Sequence, residues 1–69
     1  MTFYTAKNVA LAPHLYETEI VSAALEVLKT ELQAERQLAL HWFRTPRARQ
    51  YQELCRQHIN MIRVCEKAL

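Results

Sequence analysis

Arg44-Thr45-Pro46-Arg47 is the stretch that decides how this chain folds. A residue preceding proline is pushed out of the helical region, so Thr45 closes whatever helix precedes it. Thr45 is also a good N-cap, and Pro46 a good first helical residue, because its missing N–H costs nothing there. One helix therefore ends where the next begins. Downstream, Tyr51, Leu54, Cys55, His58, Met61, Ile62, Cys65 and Leu69 recur at helical spacing. They predict a helix from Pro46 to about Ala68.

Upstream, Ile20, Val21, Ala24, Leu25, Val27, Leu28 and Leu32 fall in one broad arc at 100° per residue. Leu38, Ala39, Trp42 and Phe43 extend it, and Pro13 suits its first position, so a helix is expected over about residues 13–43. Glu17 and Glu19 favour that end through the helix dipole. Residues 1–12 show no clear period. They are expected to be weakly ordered unless Phe3, Tyr4, Val9 and Leu11 dock on something.

A short break between two amphipathic helices predicts an all-α fold, an antiparallel hairpin of residues 13–69. With the turn near residue 45, facing positions sum to about 90. Glu31 then meets His58, and Glu35 meets Cys55 or Leu54. Two helices leave a wide apolar arc wet, which predicts completion as a homodimeric four-helix bundle or by a partner protein. A chain of 69 residues holds one domain at most, with a core that is marginal without a staple or a partner.

Composition excludes much. The chain has no Gly and no Asp. Gly-rich phosphate loops, the dinucleotide fingerprint, the nucleophile elbow and the usual EF-hand loop are all ruled out. Scarce turn residues argue against β-hairpins. No apolar run approaches the ~20 residues of a membrane span, and the N-terminus is a poor signal peptide. The expected location is the cytoplasm, with Cys55 and Cys65 as reduced thiols.

Charge is unevenly placed. Residues 1–40 carry net −2 and residues 41–69 net +4. Arg49, Arg56 and Arg63 are seven apart and Lys67 follows four later, making one outer stripe of the second helix. Arg44 and Arg47 extend it toward the positive end of the helix dipole. This pattern suits an acidic protein surface. Nucleic acid phosphate is the alternative partner, and a merely solvated face the plainest reading. No helix-turn-helix is present. At the tip, His41-Trp42-Phe43 adjoin Arg44, and Trp42 with the arginines is of the type found at interface hot spots.

Glu31, Glu35, Cys55 and His58 are the one constellation that invites chemistry. A Cys-His-carboxylate set suggests a nucleophile, but two helices give neither a deep pocket nor an oxyanion hole. Cys55-x-x-His58 supplies two metal ligands of the four that structural zinc needs. Cys65 lies ten residues, ~15 Å, away on the same helix. No catalytic residue, cofactor or metal is therefore assigned, and Glu31 with His58 is expected to form a register-setting buried ion pair. The function expected from these features is that of a small regulatory or inhibitory protein, such as a phage or plasmid accessory protein. It would bind another protein through the basic stripe and the Trp42/Arg tip.

Overall fold

The computed structural model describes all residues, 1–69. It is all-helical: α1 spans Phe3–Leu11, a single 3-10 turn Pro13–Leu15, α2 Thr18–His41 and α3 Pro46–Ala68. Together they make a rod of 41 × 17 × 16 Å.

The first departure concerns residues 1–12: expected to be weakly ordered unless they docked, they do dock, and as a capped helix. Thr2 is extended, and its hydroxyl accepts from the Thr5 N–H at 3.1 Å. That satisfies one of the orphan donors of the first turn. Phe3, Ala6, Val9 and Ala10 turn inward, while Tyr4 and Leu11 point to solvent. The molecule thus has three helices where two were expected. An isolated helix of nine residues is marginal in water, so α1 owes its stability to this docking.

The second departure concerns the helix expected over 13–43. Pro13 does open a helical turn, but it closes at Leu15, and Tyr16 is extended at φ −122°, ψ 155°. Glu17 is extended too, and α2 begins at Thr18. This break lets α1 fold back on α2, which a continuous helix from Pro13 would prevent. At its other end α2 stops at His41, and the Trp42 N–H closes the last turn on the Leu38 carbonyl at 3.0 Å.

Trp42–Thr45 joins α2 to α3. Arg44 takes φ 65°, the left-handed conformation that follows many helix C-termini and that glycine adopts most cheaply. A chain without glycine puts an arginine there. Thr45 has extended N-cap geometry, but its hydroxyl donates backward to the Trp42 carbonyl and does not cap α3. α3 then returns along α2 in the most extensive interface of the molecule, with α1 laid against both.

The core is concentrated toward one end. Ala6, Val9 and Ala10 of α1 bury with Val21, Ala24, Leu25, Leu28 and Leu32 of α2 and Ile62 and Cys65 of α3. His58 is the one buried polar residue, and beyond Leu32 α2 buries nothing. The reason is length. α1 is about 14 Å long and α2 about 36 Å, so α1 covers less than half of the groove that α2 and α3 form.

Candidate functional site

His58 sits where the three helices meet, 2% exposed. The Phe3 ring packs edge-on against its imidazole, 4.9 Å between centroids at 83°. The Lys7 ammonium lies over the same Phe3 ring, 5.8 Å from its centroid. Burial pushes the His58 pKa down; Glu35 and then Glu31 oppose this, and Lys7 adds to it. The imidazole is therefore neutral at pH 7.

Glu31 and Glu35 are both half-buried on α2. The expected Glu31–His58 ion pair is not made, because the only ion pair in the molecule is Arg56–Glu53 at 3.3 Å. Glu35 Oε2 and His58 Nδ1 are buried with no hydrogen-bond partner. Desolvation is the physical reason. A neutral imidazole under Phe3 avoids burying a cation, and Nδ1 is left without a donor or acceptor opposite it.

Cys55 lies one turn below His58 on α3. Burial and then the Glu35 carboxylate push its thiol pKa up, with Arg36 partly opposing. The Cys65 thiol is pushed up by burial. A nucleophilic cysteine needs the opposite shift. No group of three or more His, Cys, Asp or Glu side chains is placed to hold a metal ion.

The basic stripe lies on the outward face of α3. Arg49, Arg56, Arg63 and Lys67 are all exposed. Arg56 is held by Glu53, both ends solvent-facing. Arg49, Arg63 and Lys67 have no carboxylate partner. The stripe stands opposite the face that carries Cys55, His58, Ile62 and Cys65, so helical geometry alone keeps it in water.

The tip between α2 and α3 gathers the remaining candidates. The Arg47 guanidinium stacks over the Trp42 ring at 4.6 Å, and Arg44 over Phe43 at 5.3 Å. His41 meets Trp42 edge-on at 5.0 Å. Trp42 is half-buried and Phe43 64% exposed. Stacked guanidinium planes are weakly hydrated and keep their N–H donors free for a carboxylate.

Two features were not found in the sequence. Phe3 as the lid of His58 could have been read from Phe3, Ala6, Val9 and Ala10 behind the N-cap Thr2. The second is the open half of the groove, where Glu35, Leu38 and Trp42 of α2 face Arg47, Tyr51 and Leu54 of α3. On α2, Leu38 stands seven residues on from Glu31, and on α3, Leu54 and Tyr51 stand seven before Met61 and His58. That repeat was legible, but only the position of α1 tells which half is covered.

Both surface depressions of the molecule are open to solvent. One is lined by Pro46, Arg49, Gln50, Glu53 and Leu54, the other by Met1, Phe3, Glu26, Val27, Thr30 and Glu31. No helix is long and apolar enough to cross a membrane. Comparison with protein-family models, curated proteins and solved structures finds no match.

Proposed function

We propose that this is a small regulatory or inhibitory protein that works by occupying another protein's acidic surface in the cytoplasm. α2 and α3 act as a helical hairpin whose outer face is the reading head. The observation that carries the proposal is the unpaired stripe Arg49, Arg63 and Lys67, continued at the tip by Arg44 and Arg47 over aromatic rings. Arginine's planar fork suits paired hydrogen bonds to carboxylates. Phe43 and Trp42 supply the apolar anchor that protein interfaces concentrate beside arginine.

The pairing of cationic stripe with aromatic tip favours a protein over nucleic acid. Backbone phosphate binding would use the charges alone, and the chain's net charge is only +2. A rod 17 Å across has no room for an enclosed substrate site, so covering or remodelling a partner is the mechanism open to it.

The test is affinity capture from a lysate of the source organism, comparing the parent with Arg49→Glu/Arg63→Glu, with and without nuclease. The proposal expects one protein, identified by mass spectrometry, that the double variant loses and nuclease leaves in place. Retention abolished by nuclease would assign the stripe to nucleic acid. Retention unchanged in the double variant would show that the stripe only solubilises.

A further inference from the structure

We propose that the open half of the α2–α3 groove is closed by the same region of a second copy of this chain, with Glu35 of each copy meeting Arg47 of the other. The proposal rests on the reading that the protein works by association; it shares Arg47 and Trp42 of the tip with that reading but leaves the stripe of Arg49, Arg56, Arg63 and Lys67 untouched.

The groove is one continuous surface, and α1 occupies only part of it. Phe3, at the start of α1, sits at the level of Glu31 and His58. From there to the tip the groove runs for about a dozen residues of α2, or ~18 Å. Leu38 and Leu54 flank it, 38% and 37% exposed, with Tyr51 and Trp42 half-buried beside them. The end that α1 covers holds the buried core, with Val27 and Met61 part-exposed at its edge. Beyond it only Ala48 is buried, and Leu38 and Leu54 stay part-exposed although they are spaced for the same use.

Charge selects the occupant. Glu35 is half-buried and makes no ion pair within the chain, and a carboxylate so placed is costly. Arg47 stands one turn before Tyr51 on α3, exposed, and has no carboxylate partner, only the Trp42 ring. Within one chain the two are too far apart to meet. Residues of α2 and α3 stand opposite when their numbers sum to about 90, as Glu35 beside Cys55 shows. Arg47 is therefore level with residue 43, eight residues or ~12 Å from Glu35.

A two-fold axis across the rod midway between them, level with Ala39 and Tyr51, brings Glu35 of each copy to the level of Arg47 of the other. Leu38 and Tyr51 then lie next to the axis, where an isologous contact is tightest. The same axis places each copy's tip level with residue 33. The tip then ends beside Phe3 of the second copy and does not run across it. The four helices of the two open halves make a bundle, and α1 plays the equivalent part at each end.

The contact face is ~18 Å long and at most 17 Å wide. That is a footprint of about 300 Å² on each copy, roughly 600 Å² in total, the size of a weak, transient contact. The dimer is thus a concentration-dependent one. The outward stripe of Arg49, Arg56, Arg63 and Lys67 is left free in both copies.

Sedimentation equilibrium from about 5 to about 300 µM tests this. The expected mass climbs from 8.1 kDa toward twice that value. Glu35→Arg and Arg47→Glu should each weaken the dimer at least about tenfold, and the double exchange E35R/R47E should restore it. Leu38→Asp should give a monomer with unchanged helix content, because Leu38 is already part-exposed in one copy. A parent that stays at 8.1 kDa throughout overturns the proposal. So does a dimer that survives Leu38→Asp, or single exchanges that the double exchange does not rescue. Arg49→Glu/Arg63→Glu should leave the dimer intact, so failure of the stripe reading and failure of this one are seen separately.

Discussion

Replacing Val9 by alanine removes two methyl groups from the point where α1 enters the core. Val9 is 1% exposed, among Ala6, Ala10, Ala24 and Leu28, each buried. Transfer of two buried methyl equivalents is worth about 1.6 kcal/mol. Partial collapse of the space left behind adds roughly 0.5–1.5 kcal/mol. Alanine's better helix propensity returns about 0.5 kcal/mol. The expected loss is about 2 kcal/mol, against a total stability of roughly 3–10 kcal/mol for a chain this size. In a domain of this length that lowers Tm by about 8–16 °C. Thermal and urea unfolding followed by circular dichroism would measure it, with Leu11→Ala as the control. Leu11 is 83% exposed on the same helix, and its loss should stay within about 0.5 kcal/mol. The reasoning is refuted if Val9→Ala melts within a degree or two of the parent, or if Leu11→Ala is as damaging. Either result would mean that α1 does not share the core.

Arg44 and His58 give two further predictions. At φ 65°, Arg44→Gly relieves a left-handed residue that costs about 1–2 kcal/mol, less about 0.5–1 kcal/mol of glycine entropy. It should raise Tm slightly, whereas Arg44→Val, β-branched at positive φ, should lower it; the opposite order would show that the turn is not left-handed in solution. His58 has its pKa held below the ordinary value by burial, against the pull of Glu35 and Glu31. The unfolded chain then binds more protons than the native one near and below pH 6.5, so stability is full above that pH and is lost on acidification. Urea midpoints measured from pH 8 to 5 should fall, and His58→Gln should flatten that fall. A flat parent profile, or the same slope in His58→Gln, would remove His58 as its cause.

The sequence reading located the α2–α3 boundary because Thr45-Pro46 acts through local sterics, which need no tertiary context. α3 was likewise legible from end to end, since its apolar face is long and regular. α1 was not, for a physical reason. Its inward face is Phe3, Ala6, Val9 and Ala10, and two alanines among four positions make a weak apolar signal. Pro13 misled in the other direction. It does start a helical turn, but Tyr16 and Glu17, three and four residues later, are extended and have no sequence signature comparable to a proline or a glycine. The arginine stripe showed in the sequence because it repeats every seven residues on one helix. The open groove did not, because what defines it is where a different helix stops. The Glu31–His58 pair failed because spacing predicts proximity and says nothing about the cost of charging an imidazole beneath Phe3.

Amide hydrogen exchange at two protein concentrations tests most directly the claim that one end of the rod is finished and the other awaits a second copy. In dilute solution, amides of residues 21–32 and 58–65, under α1, should be the slowest to exchange, and those of 35–41 and 50–55 markedly faster. At a few hundred micromolar the second group should slow toward the first, with the covered end changing little. Uniform protection that does not depend on concentration would contradict the account.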